Sequence, residues 1–125
     1  SVGSEMCIRD RPQPDINIKI EDKAFDQYIG YKFALLVFNQ DQEVFDEIKS
    51  LDSVKIFNDN IYLLNPNHPF NADMSFVEWQ KKYNISAVII RPDRHVYGCC
   101  DNHTIIQKID KLSIELHNNI NNTIT

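Results

Sequence analysis

The run "FALLVF" at residues 33–38 is apolar at every position and stops at the polar "NQDQE". A short unbroken apolar run between polar flanks suits a strand buried on both faces. "ISAVII" at residues 85–90 has the same character and predicts a second buried strand. Upstream, "INIKI" at residues 16–20 alternates apolar and polar positions, which fits a half-buried or edge strand. Phe25, Tyr28 and Ile29 then fall at a short helical spacing closed by Gly30 as C-cap. Between the two buried strands, "NQDQEVFDEIKSLD" puts Val44, Phe45, Ile48 and Leu51 on one helical face, with Asn39 or Asp41 as N-cap. "VKIF" and "IYLL" predict two short strands around the turn Asn58-Asp59-Asn60, and "NPNHPFNA" predicts a loop. In "DMSFVEWQKKYN" helical spacing returns at Phe76, Val77, Gln80 and Tyr83. That helix starts at Asp73 or Ser75 and ends on Lys81 and Lys82, in the polarity the helix dipole favours.

The segment "AVIIRPDRHVYG" at residues 87–98 predicts a hairpin. Pro92 forces Arg91 into extended geometry and fixes its own φ, so Arg91-Pro92-Asp93-Arg94 reads as a tight turn with proline at its second position. His95-Val96-Tyr97 forms the returning arm. A long helix follows, capped by Asp101 or Asn102, with Ile105, Ile106, Ile109, Leu112 and Leu116 inward and a tail expected to fray from Asn118 onward. Strands alternating with helices, then a hairpin and a final helix, make the plan of an α/β, thioredoxin-like sheet flanked by helices. That domain is expected over residues 12–117, with residues 118–125 as its tail.

Composition narrows the picture. At 125 residues the chain has the length of one domain, and 42% hydrophobic with 25% charged residues is ordinary for a globular protein. A net charge of −5 with scattered lysines speaks against nucleic-acid binding, which needs clustered cations. No apolar stretch reaches the roughly 18 residues of a membrane span. Of three cysteines, Cys99 and Cys100 are neighbours; on a strand they would point to opposite faces. This usage predicts a reduced, cytoplasmic protein without a disulfide framework. "SVGSEMCIRDR" at residues 1–11 shares no pattern with the remainder and resembles adaptor DNA read in frame as protein. It is set aside from fold reasoning, and the chain is then expected to come from a longer reading frame.

Candidate chemistry is sparse. The thiol site of a thioredoxin-like fold lies at the start of the helix after the first core strand, where the dipole lowers a cysteine pKa. Here that segment is Asn39-Gln40-Asp41-Gln42-Glu43, and the loop before the later strand is Tyr83-Asn84-Ile85-Ser86-Ala87 without proline. The expected fold is therefore without redox-active cysteines. His95, Cys99, Cys100 and His103 lack the second well-spaced pair of a structural zinc site, so no metal is expected. Glu43, Asp46 and Glu47 read as a solvated face, and Trp79 with Phe76 and Tyr83 as packing. The only glycines are Gly3, Gly30 and Gly98, so no phosphate-binding loop exists.

The hairpin segment resembles the Arg-Pro-Asp hairpin near the end of flavin-dependent aromatic hydroxylases, the group of 3-(3-hydroxyphenyl)propionate hydroxylase and phenol 2-monooxygenase. The structural motif comprises Arg91, Pro92, Asp93, Tyr97 and Gly98. Many members carry Gly after the Asp and a Trp-Arg pair on the return strand; this chain has Arg94 and Tyr97-Gly98. "PQPDINI", "DQYIGYKFALLVF" and "WQKKYNISAVIIRPD" resemble further family segments in the same order, so the resemblance spans most of residues 12–110. It implies a C-terminal domain that supports structure and dimerisation in an enzyme using FAD and NAD(P)H to hydroxylate phenolic rings. It also implies that no catalytic, cofactor-binding or metal residue lies in this segment, because the flavin chemistry belongs to an N-terminal domain of the same chain. The expected partners are that domain and a second subunit, without nucleic acid or membrane. The alternative is a free-standing redox-inactive thioredoxin-like interaction module.

Overall fold

The computed structural model describes residues 29–64 and 74–124. The strand expected at residues 16–20, the loop at residues 65–72 and most of the short helix ending at Gly30 lie outside the described residues. Gly30 itself has φ +65°, the left-handed backbone expected of a C-cap.

"ALLVF" forms β1 (Ala34–Phe38), buried at all five positions. Asp41 precedes α1 (Gln42–Lys49) in extended geometry, and Phe45 and Ile48 are the helix residues that reach the core. β2 (Ile61–Leu64) follows, then α2 (Met74–Lys82), β3 (Ala87–Ile90), β4 (Val96–Cys100) and α3 (Ile105–Ile124).

The strand expected at "VKIF" is corrected: Asp52–Phe57 is a 3-10 helix. Four residues cannot separate period two from period three. Val54 and Phe57 stand three apart, both are buried, and both pack against the face that carries α3. An Asp52–Lys55 ion pair of 2.7 Å bridges the same interval on the exposed side.

The sheet order is β2-β1-β3-β4. β1 pairs parallel with β2 and antiparallel with β3, and β3 pairs antiparallel with β4. This mixed four-stranded sheet with helices on both sides is a thioredoxin-like α/β arrangement. Alternation along β1 divides the core in two. Ala34, Leu36 and Phe38 join Val88, Ile90, Val96 and Cys99 beneath Trp79 of α2. Leu35 and Val37 join Ala87, Ile89, Tyr97 and Cys100 beneath α1, the 3-10 helix and Ile109, Leu112 and Leu116 of α3. Trp79 is thus a core residue.

The C-terminal helix continues past Asn118 to Ile124, where fraying was expected. Ile120 packs against the core, Asn119 Nδ2 donates to the Tyr97 hydroxyl at 3.0 Å, and Asn121 bonds to His117 one turn earlier. These contacts compensate the poor helix propensity of the Asn-rich sequence.

Candidate functional site

The Arg91-Pro92-Asp93-Arg94 turn closes with the Arg94 amide donating to the Arg91 carbonyl at 2.9 Å. The Arg91 amide donates to the His95 carbonyl at 2.8 Å, so three residues form the loop and Arg94 is the last of them. A turn of this kind needs left-handed backbone at that last position, and Arg94 has φ +73°. The conformation explains why glycine suits the position in proteins that this hairpin resembles.

Arg94 nevertheless has a reason to be arginine. It is only 7% exposed. Its Nη2 donates to the Gly30 carbonyl at 2.6 Å, and its Nη1 lies 3.5 Å from the Pro92 carbonyl. The hairpin is thereby tied to the residue from which the chain turns toward β1, 64 positions earlier. Sequence reasoning gave Arg94 no role beyond turn geometry. The missed signal was a long cationic side chain at a position that favours glycine.

Arg91 and Asp93 sit half-exposed at the tip, joined by an Arg91 Nη2 to Asp93 Oδ2 bond of 2.8 Å. The other carboxylate oxygen accepts from the His95 amide at 3.1 Å and faces His95 Nδ1 at 3.4 Å. Partial burial works against ionisation of Asp93. The His95 amide, the Arg91 charge and the His95 ring together outweigh it and hold the carboxyl below its ordinary range. Arg91 and Asp93 are thus spent on each other, whereas His95 Nδ1 is buried without a hydrogen-bond partner among the described residues.

Tyr97 and Gly98 stand behind the tip at an irregularity in the ladder. Ile90 pairs with Val96 and Ile89 pairs with Gly98, leaving Tyr97 as an extra residue in β4. The bulge reverses the strand's phase. Counted back from Cys99 and Cys100, strict alternation would put Tyr97 under α2; instead it lies under α3, with its hydroxyl on Asn119. Burial raises the Tyr97 pKa above its ordinary value, the Asn119 bond opposes this, and the nearby Glu115 charge adds to it.

The other candidates do not converge. Cys99 and Cys100 form no disulfide, are fully buried and lie on opposite faces of the sheet, as neighbours on a strand must. His95, Cys99, Cys100 and His103 therefore cannot surround one ion. Among the described residues no group of three or more His, Cys, Asp or Glu side chains is placed to hold a metal. Glu43, Asp46 and Glu47 are exposed. At the opposite end of the sheet, Asn39, Gln40 and Asp41 face Ile85 and Ser86 across a cleft where a thioredoxin-like fold would carry its thiols.

The comparisons bear on this arrangement. A family model described as the HcaD C-terminal domain matches residues 9–115. The chain belongs to the HcaD C-terminal domain family. This membership is consistent with the C-terminal domain of an aromatic hydroxylase-like protein. Comparison with curated proteins and with solved structures gave no match. The matched stretch of this HcaD C-terminal domain contains every described strand, the hairpin and all of α3 as far as residue 115. Among the described residues no helix is long and apolar enough to cross a membrane.

Proposed function

We propose that this chain is the C-terminal structural and dimerisation domain of an FAD- and NAD(P)H-dependent aromatic ring hydroxylase, and that it is not catalytic by itself. The observation that carries the reading is the HcaD C-terminal domain match over residues 9–115, in a family named for its place at the end of a longer protein. The hairpin supports it. Arg91 and Asp93 neutralise each other, and Arg94 and Tyr97 are spent on fold contacts, which leaves the motif a scaffold role. The position of the redox thiols carries Asn39, Gln40 and Asp41, so the domain has no thiol chemistry of its own to offer there. FAD, NAD(P)H and the phenolic substrate then belong to an N-terminal flavin domain of the same polypeptide, which supplies the oxygen chemistry. A cytoplasmic setting fits Cys99 and Cys100, which are buried and outside any disulfide.

The test is to sequence the source DNA upstream of the codon for Pro12. The expected result is an open frame running back into a glycine-rich strand-turn-helix of the dinucleotide-binding kind. A start codon within a few residues of Pro12 would overturn the reading in favour of a free-standing interaction module. In parallel, the purified chain mixed with FAD is expected to emerge from gel filtration colourless. Stoichiometric bound flavin would contradict the assignment of FAD to another domain, and sedimentation of the same sample reads subunit association.

A further inference from the structure

We propose that the groove between the 3-10 helix and α3 seats α3 of a second copy of this chain, running antiparallel, with Ile114 against the partner's Ile114 and Asp110 facing the partner's His117. The groove encloses about 580 Å³ and presents mainly apolar surface. Ile56 and Ile114 supply that surface, and Ile114 is 46% exposed in the middle of a helix. An aliphatic side chain held in water at such a position gains by burial against another. The inference gives a surface to the dimerisation part of the reading above and rests on that part alone.

The polar groups around the groove define what its occupant must offer. Asp52 and Lys55 cancel each other through their 2.7 Å ion pair. Asp110 and His117 keep bonding capacity. Ser53 Oγ donates to Asp110 Oδ1 at 2.5 Å, which leaves Oδ2 as an acceptor. Asn121 Nδ2 donates to His117 Nε2 at 3.0 Å, so the neutral ring carries its proton on Nδ1 and offers it as a donor. The occupant must therefore bring an apolar side chain, a donor for Asp110 and an acceptor for His117.

A second copy brings all of these on the same helix. Asp110 and His117 are seven residues apart, so on α3 they share a face but stand about 10 Å apart along the axis, too far to bond within one chain. An antiparallel copy reverses the order and sets each of them opposite its counterpart. The midpoint of the pair falls between Ser113 and Ile114, so the two isoleucines meet near the two-fold axis with a charge-assisted hydrogen bond on either side. Such mutual contact, in which each residue of a pair meets the other, is what two-fold symmetry requires. A basic segment of another protein would serve Asp110 and leave the His117 donor unused, and an acidic one would do the converse.

The experiment is sedimentation velocity of the purified 125-residue chain and its variants over a concentration series, with far-UV ellipticity confirming that each is folded. The unsubstituted chain is expected to pass from monomer to dimer and no further. His117→Asp, at an exposed position, sets carboxylate against carboxylate and should weaken association at least about tenfold. Ile114→Asp, also exposed, should leave only monomer. Asp110→His combined with His117→Asp exchanges the two partners and should restore association to within roughly threefold of the unsubstituted chain, which a merely structural effect of either substitution would not do. A dimer that none of these variants weakens would overturn the proposed surface while leaving the dimerisation reading in place. A chain that stays monomeric throughout would overturn both. Growth beyond dimers, or an exchanged double variant that associates no better than His117→Asp alone, would also overturn the antiparallel arrangement.

Discussion

Replacing Arg94 separates two effects that the structure superimposes on one residue. Its backbone is left-handed at φ +73°, which costs a non-glycine residue about 1 kcal/mol. Its buried guanidinium donates to the Gly30 carbonyl at 2.6 Å, a charged hydrogen bond worth roughly 1.5–3 kcal/mol. Gly30 is exposed, so water can take over its carbonyl and the loss falls near the low end of that range. The arginine stem adds some packing. Arg94→Ala keeps the strain and loses the bond, and should destabilise by about 2 kcal/mol. Arg94→Gly loses the bond but relieves the strain, and should destabilise by only about 1 kcal/mol. Urea unfolding of the purified chain, followed by tryptophan fluorescence of the buried Trp79, resolves the two. With a slope of roughly 1 kcal/mol per molar, the midpoints should fall by about 2 M and 1 M respectively. Equal midpoints for the two variants would refute the strain argument. A glycine variant more stable than the unsubstituted chain would refute the claim that the Gly30 contact outweighs the strain.

Three further outcomes follow from the hairpin and its support. Pro92→Ala should cost about 0.4–1 kcal/mol in the same urea assay, because it frees the unfolded chain while leaving the turn bonds intact; an unchanged midpoint would count against proline as the fixing element. Asp93 has a depressed pKa, so its contribution is present above the ordinary carboxyl value and is lost as pH falls through the folded value. The acid loss of stability should therefore be smaller in Asp93→Asn than in the unsubstituted chain, by on the order of 0.5 kcal/mol for so exposed a group, as read from melts between pH 6 and about 2. Tyr97 has a raised pKa, so the stability linked to it is full below its ordinary value of about 10 and falls as pH rises through the folded value. Tyr97→Phe should cost about 1 kcal/mol at neutral pH through the lost Asn119 bond, yet flatten the alkaline decline; a decline equally steep in both proteins would remove Tyr97 as its cause.

Pattern alone was enough for the scaffold. Continuous apolar runs placed β1 and β3, helical spacing placed α1 through Phe45 and Ile48, and proline at the second turn position placed the hairpin. These are properties of local periodicity and fixed backbone dihedrals, which a short window of sequence contains. The opposite orientation of Cys99 and Cys100 is of the same kind, since neighbours on any strand diverge.

What the tertiary structure decided is where period or partner depends on distant residues. "VKIF" became a 3-10 helix because Val54 and Phe57 found a common surface under α3, which four residues cannot announce. α3 persisted to Ile124 because Tyr97 lay within reach of Asn119, a contact created by the bulge at Tyr97. The Arg94 clamp needed Gly30 to arrive beside the hairpin, and the amide-lined cleft needed α1, the turn before β3 and Asn102 to meet. Each of these joins positions far apart in the chain, so the energy that fixes them appears only once the sheet has brought them together.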